Sequence, residues 1–193
     1  MDVVLARHGE TEWTLSGQHT GRTDVPLTDA GRRQAELLAP RLGGRRFAAV
    51  FTSPLSRAAE TCRLAGFANG AQVRDELLEW DYGEYEGLTT VEIRQRRPGW
   101  QLWRDGCPGG EDAGQVGARV DRLIAEWRTL DGDAAVFAHG HVLRVIAARW
   151  VDLPPEAGAL LALSTATVSV LGYEREAAVI RLWNDGAHLG ARV

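Results

Sequence analysis

Val3-Val4-Leu5-Ala6-Arg7-His8-Gly9-Glu10-Thr11 is the stretch from which the fold is read. Four apolar residues with no polar alternation predict a strand buried on both faces. The run stops at a cation, an imidazole and a glycine. In an open α/β sheet, ligand-handling groups stand just beyond the carboxyl ends of strands. A guanidinium and an imidazole there point to chemistry on an anion, against the plainer reading of a surface pair closing a strand. The same design recurs twice. Ala48-Ala49-Val50-Phe51-Thr52-Ser53 is a second buried run, with Arg57 in the first turn of the helix that follows Pro54. Ala134-Ala135-Val136-Phe137-Ala138 is another, ending in His139-Gly140-His141.

The intervening segments set the topology. Residues 12–24 are rich in Gly, Ser and Thr without a sustained period, which predicts a long loop. Leu27-Thr28 supplies a staple and cap for a helix to about Leu42, ended by Gly43-Gly44. A strand is expected near Gln72-Val73-Arg74, then an acidic, aromatic loop from Leu77 to Gly87. Thr89 and Glu92 have capping-box spacing for a short helix that Pro98 closes, and residues 99–110 read as irregular. A long amphipathic helix is expected from about Glu111 to Leu130, and another from about Val142 to Val151. Two β-rich runs, Thr167–Tyr173 and Val179–Trp183, close the chain. Alternating strands and helices predict an α/β, three-layer fold: a mostly parallel central sheet with helices on both faces. The final β-β step calls for an antiparallel strand, and one domain over residues 1–193 is expected.

Composition narrows the chemistry. The chain has 193 residues, is 45% hydrophobic and 25% charged, and carries a net charge of -4. That balance gives no expectation of nucleic acid or an anionic membrane as partner. All 22 basic residues are arginine. Schiff-base lysines, pyridoxal-phosphate anchors and P-loop lysines are therefore excluded, and any phosphate must be gripped by guanidinium forks. Cys62 and Cys107 form neither a metal-ligand spacing nor a disulfide framework, and free thiols are expected. The first apolar run is too short for a signal peptide and follows Asp2, and nothing approaches the roughly 20 apolar residues of a membrane span. A cytoplasmic location is expected.

Three strands thus bring Arg7-His8, the Arg57 helix start and His139 to one sheet edge. Two guanidiniums and two imidazoles there make an anion pocket, with a phosphoryl group as the natural occupant. Without lysine or a Mg²⁺-holding motif, a neutral imidazole is the candidate nucleophile. The acid that protonates a leaving oxygen must come from elsewhere, and the loop around Glu79 offers it. Each group has a duller reading. His139-x-His141 could be a metal pair, but no supporting ligands are spaced near it, so no metal is expected. Glu79, Asp81, Glu84 and Glu86 could be a solvated loop, or a glycosidase pair that would leave the arginines and histidines without a task. Trp13 and Trp80 are candidate pocket walls. Thr14, Ser16 and Thr20 either donate to phosphate oxygens or satisfy loop backbone. His19 and His188 are taken as ordinary polar residues.

Leu5-Ala6-Arg7-His8-Gly9-Glu10-Thr11 resembles the signature of the histidine phosphatase superfamily, in its phosphoglycerate-mutase-like branch. The likeness continues in order. His19-Thr20-Gly21 with Pro26-Leu27-Thr28 and Gly31 is similar to the substrate loop and first helix. Thr52-Ser53-Pro54-Leu55-Ser56-Arg57-Ala58 is similar to the second arginine motif. Glu79 with Tyr82-Gly83 and Glu86-Gly87 resembles the acid loop, and Ala138-His139-Gly140 the second histidine. Within the family, Trp13 with Ser16-Gly17-Gln18, Glu79-Trp80, and Trp103 to Cys107 look like yeast-type sedoheptulose-1,7-bisphosphatases and related actinobacterial acid phosphatases.

The resemblance implies a cofactor-independent phosphatase acting on a small phosphorylated metabolite, a sugar phosphate or bisphosphate. His8 would become a phosphohistidine, Arg7, Arg57 and His139 would hold the phosphoryl oxygens, and Glu79 would act as acid and then base. Thr14, Ser16, Thr20, Gly21, Trp80, Tyr82 and Gly140 are the expected substrate contacts, and a homodimer is an expectation of the resemblance alone. Two features depart from the mutases. Thr14 stands where they usually carry Asn, and the inserted segment after the acid loop is missing, which favours hydrolysis over phosphate return. Arg94, Arg96, Arg97 or Arg104 could replace the missing grip. A phosphoglycerate mutase and a non-catalytic phosphate-binding module are the alternatives.

Overall fold

The computed structural model describes residues 1–190, so the last three residues of the expected 1–193 domain lie outside the described residues. Its centre is a six-stranded sheet: β1 (Val3–Arg7), β2 (Ala49–Thr52), β3 (Ala71–Val73), β4 (Ala134–Ala138), β5 (Val168–Glu174) and β6 (Ala177–Asp185). The spatial order is β3-β2-β4-β1-β5-β6, with β1 to β4 parallel and the β5-β6 hairpin antiparallel. β2, β4 and β1 are neighbours, so the carboxyl tips that precede Arg57, His139 and His8 stand side by side.

The apolar runs owe their lack of alternation to cover on both faces. Val3, Leu5, Phe51 and Val136 face a core completed by α6 (Ala113–Trp127) and α7 (Gly140–Trp150). Val4, Ala6, Ala135 and Phe137 face the opposite core, under α2 (Asp29–Leu42) and α3 (Ser56–Cys62). A one-residue slip of any strand would exchange the two sets.

Three local expectations are corrected. Residues 12–24 are not all loop: α1 (Glu12–Ser16) forms because Thr11 and Thr14 make a reciprocal capping box. Residues 99–110 contain the short α5 (Leu102–Asp105), and α7 starts at Gly140 rather than Val142, with His139 itself as N-cap. The Thr89–Glu92 box opens α4 (Thr90–Arg96) as expected.

Backbone pairing carries the sheet past its tips. His8 N donates to Ala138 O at 3.0 Å, and Ser53 N to Phe137 O at 3.0 Å. Gly9 follows because the start of α2 presses against it: a Cβ there would lie 2.3 Å from Gly31 O. The bare backbone admits that approach, and Gly9 N donates to Thr61 Oγ1 at 3.1 Å.

Candidate active site

A cavity of about 290 Å³ opens at this sheet edge. Arg7, His8, Glu79, Tyr82, Gly140 and Thr20 line it, together with Trp13, Gln18, His19, His141 and Arg144.

His8 is buried, and its Nδ1 lies 2.7 Å from Gly9 O. A carbonyl only accepts, so Nδ1 carries the proton and Nε2 keeps its lone pair. Burial first, then Arg7 and Arg57, push its pKa well below the ordinary imidazole value. The ring is therefore neutral at pH 7, the form a nucleophile needs. Arg7 stands beside it. One terminal nitrogen donates to Leu163 O, while Nε is buried with no partner among the described residues. An orphaned guanidinium N–H costs about 1–3 kcal/mol or more unless a ligand meets it. Gly140 leaves room for this guanidinium, since a Cβ there would lie 3.3 Å from Arg7 Cζ.

His139 and Arg57 stand one layer behind, each 0% exposed. The rings of His8 and His139 are 5.2 Å apart. Arg57 Nε donates to His139 Nδ1 at 3.1 Å, and His139 Nε2 lies 2.8 Å from Ser53 Oγ. Since Arg57 only donates, Nδ1 is the acceptor, and the neutral ring carries its proton on Nε2, toward Ser53. Burial, then Arg57, His8 and Arg7, keep this ring neutral too. The Arg57 fork is largely spent on carbonyls: Thr23 O at 2.9 Å, Thr20 O at 3.1 Å and Gly21 O at 3.0 Å.

Glu79 is buried at the start of α7. Oε1 accepts from Trp80 N and Val142 N, both at 2.9 Å, and Oε2 accepts from His141 N at 3.0 Å. Two of these N–H groups belong to the first turn of α7, whose dipole favours a negative group. Arg119 holds the loop from behind, donating to Glu79 O at 3.2 Å and pairing with Glu111 at 2.8 Å.

Other expected contacts fall elsewhere. Ser16 is exposed and does not line the cavity; its hydroxyl donates to the wall residue Gln18, at Oε1, across 2.6 Å. Trp80 is 0% exposed and lies behind the wall, its indole N–H held by Glu111 O. Gly21 is a clamp: its N–H donates to Glu86 Oε1 at 2.8 Å, and its carbonyl accepts from Arg57. Thr14 lines the cavity, but its hydroxyl is committed to Thr11 O at 2.7 Å. Thr20 lines it as well, with its hydroxyl on Gln18 O. Glu86, read as one of a solvated acidic set, accepts two backbone N–H groups and so ties the acid loop to the 18–23 loop.

The two histidines of His139-x-His141 do not converge. His139 turns to Arg57 and Ser53, whereas His141 Nδ1 lies 2.6 Å from Tyr82 Oη. His19, taken as ordinary, is a wall residue with its ring edge-on to Tyr82 at 4.8 Å. Arg144 was missed, although His141 and Arg144 have the i,i+3 spacing that puts both on one helix face. Of the arginines suggested as a second grip, Arg94 and Arg104 are held by Trp100 O and Asp105.

A family model described as the histidine phosphatase superfamily (branch 1) matches residues 3–186. An acid phosphatase of Mycobacterium tuberculosis is 43% identical over 187 residues, covering 93% of this chain and 92% of that protein. Sedoheptulose 1,7-bisphosphatase of Saccharomyces cerevisiae is 38% identical over 186 residues, covering 78% of this chain and 67% of that protein. The solved structure of a Mycobacterium tuberculosis open reading frame superposes with a TM-score of 0.90 at 41% identity, covering 95% of this chain and 96% of that one.

Proposed function

The chain belongs to the histidine phosphatase superfamily, and from that membership and the chemistry of the cavity we propose that it is a cofactor-independent phosphatase of small phosphomonoesters. The observation that carries this reading is the pairing of a neutral His8, with Nε2 unprotonated, and an Arg7 guanidinium whose buried Nε lacks a partner. One supplies a lone pair and the other a donor for a phosphoryl oxygen.

In the first step His8 Nε2 attacks phosphorus and the bond from phosphorus to the leaving oxygen breaks. Glu79 gives that oxygen the proton it holds from the water step of the previous turnover, releasing the alcohol and leaving a carboxylate that its three N–H donors stabilise. In the second step Glu79 takes a proton from water as the water oxygen attacks phosphorus. The P–N bond breaks, and inorganic phosphate and neutral His8 are restored. Arg7 stabilises the charge on the equatorial oxygens. His139, oriented by Arg57, completes the donor set from behind. The Nε2–H that His139 gives to Ser53 is the one a phosphoryl oxygen at His8 competes for. The missing insertion after the acid loop favours water over a returning alcohol as phosphoryl acceptor. The phosphatase and bisphosphatase relatives support a sugar phosphate or bisphosphate as substrate.

The test is phosphate release from sugar monophosphates, sugar bisphosphates, phosphoglycerates and p-nitrophenyl phosphate, run on wild type and His8→Ala. Loss of the nucleophile is expected to cost on the order of 10⁴-fold or more in kcat. Acid-labile label from ³²P substrate should appear on His8 in the wild type alone. Interconversion of phosphoglycerates without phosphate loss would assign a mutase instead. Binding without turnover, unchanged in His8→Ala, would assign a non-catalytic module.

A further inference from the structure

Residues 162–167, between α7 and β5, belong to no helix or strand, so the course of this strap depends on the bonds it makes. Some of them go to the catalytic pair. Leu163 O accepts from Arg7 Nη1, Thr167 O accepts from Arg7 N at 3.3 Å, and Ala166 N donates to His8 O at 3.1 Å. Others go to three side chains from β6 and the turn after it. Trp183 Nε1 donates to Ala162 O at 2.6 Å, Asn184 Oδ1 accepts from Ser164 N at 2.7 Å, and His188 Nε2 donates to Ala166 O at 2.9 Å.

The sheet aims these groups. Val168 pairs with Asp185 and Val170 with Leu182, so Trp183 and Asn184 together oppose the single Ser169. Such a bulge re-aims the side chains of the strand that carries it. Asn184 is its left-handed residue, at φ +56°, a conformation that asparagine tolerates. Ala166 on the strap is left-handed too, at φ +53°, and is 0% exposed. An alanine keeps that geometry only where its surroundings over-determine it; here its N–H is bonded to His8 and its carbonyl to His188. His188, read from the sequence as an ordinary polar residue, is neutral because burial lowers its pKa. A carbonyl only accepts, so the proton lies on Nε2, and the buried Nδ1 has no partner among the described residues. Packing alone would be served by an apolar side chain with no orphaned nitrogen.

We propose that Trp183, Asn184 and His188 are positioning residues of the active site: they hold the 162–167 strap, and the strap holds the Arg7 guanidinium and the His8 backbone. None of the three lines the cavity. The Arg7 guanidinium makes one hydrogen bond among the described residues, to Leu163 O, so the place of that carbonyl sets where the free Nε points. The His8 carbonyl rests on Ala166 N in the same strap, so cation and nucleophile are displaced together when the strap shifts. This role rests on the phosphatase reading above.

The test compares wild type with Trp183→Phe, Asn184→Gly, His188→Leu and His188→Gln, each below its melting temperature. The first three each remove one bond to the strap, and glycine keeps the left-handed backbone at 184. In these three, kcat/KM for p-nitrophenyl phosphate should fall by roughly 10- to 100-fold, the cost of misplacing reacting groups by about 1 Å. The dissociation constant for inorganic phosphate, measured calorimetrically, should rise with it. His188→Gln, whose amide can donate to the same carbonyl, should recover most of both losses. A dissociation constant does not depend on how much of the sample is folded, so a purely structural role would lower melting temperatures and leave it unmoved. Wild-type phosphate affinity and wild-type kcat/KM in the first three variants would overturn the positioning role and leave the phosphatase reading intact. A His188→Gln variant as impaired as His188→Leu would also overturn it. Should wild type bind phosphate and turn over no substrate, the phosphatase reading fails and the affinities still decide: weakened binding in the first three variants supports the role, and equal binding refutes it.

Discussion

Arg57 Nε donates to His139 Nδ1 across 3.1 Å and so ties the first turn of α3 to the N-cap of α7. The bond fixes the His139 tautomer, holds a cation against a neutral ring and places that ring 5.2 Å from His8. Through its other nitrogens the same guanidinium gathers the carbonyls of Thr20, Gly21 and Thr23. One side chain thus anchors the substrate loop and orients the second histidine.

Arg57→Lys should therefore fail despite its retained charge. An ammonium cannot span four acceptors set around a planar fork, and the buried carbonyls it abandons cost about 1–3 kcal/mol each. A fall of roughly 100-fold in kcat/KM is expected, with a lower urea midpoint. Wild-type stability together with wild-type activity would contradict the anchoring role.

Stability should fall on mild acidification. His8, His139 and His141 are each held well below the ordinary value of 6.5, by burial first and by neighbouring arginines second. Below about 6.5 the unfolded chain binds protons that the folded chain refuses. The stability these groups contribute is present above that pH and is lost as pH falls toward their folded values. The slope is at most about 1.4 kcal/mol per pH unit for each histidine. Urea midpoints between pH 7.5 and 5 should decline, and His8→Asn should flatten the decline by about a third of the three-histidine slope. A level profile would be incompatible with rings that the fold keeps neutral.

The acid role of Glu79 predicts a leaving-group dependence. Glu79→Gln should slow release of sugar alcohols by on the order of 10² to 10⁴-fold, the usual worth of a positioned acid. It should slow p-nitrophenyl phosphate far less, because that leaving group needs little protonation. Equal losses on both substrates would show that the variant damages the loop. The amide is in any case mismatched to three N–H donors, so a lower melting temperature should accompany it.

Gly9→Ala tests the seam between β1 and α2. A methyl group there meets Gly31 O at 2.3 Å, a backbone atom with no rotamer to yield. Overpacking of this kind costs typically about 1–3 kcal/mol. The displacement would reach His8 next door, so activity and urea midpoint should fall together. An unchanged midpoint would mean that the seam relaxes.

The sequence by itself determined the layers and the edge where the chemistry gathers. Buried parallel strands need unbroken apolar runs, as in Val3–Ala6 and Ala134–Ala138, and capping boxes such as Thr89–Glu92 are satisfied within a few residues. Both signals are local, so they can be read along the chain. Only the tertiary structure decided which polar groups face the cavity. Thr14 and Ser16 found partners close by in α1, Trp80 found Glu111 O, and Arg57 was drawn to carbonyls more than thirty residues away. His141 and Arg144 lie three residues apart on α7, and the packing of that helix brings both to the cavity wall. A buried donor takes whichever acceptor the packed chain brings within about 3 Å, and sequence spacing does not encode that distance.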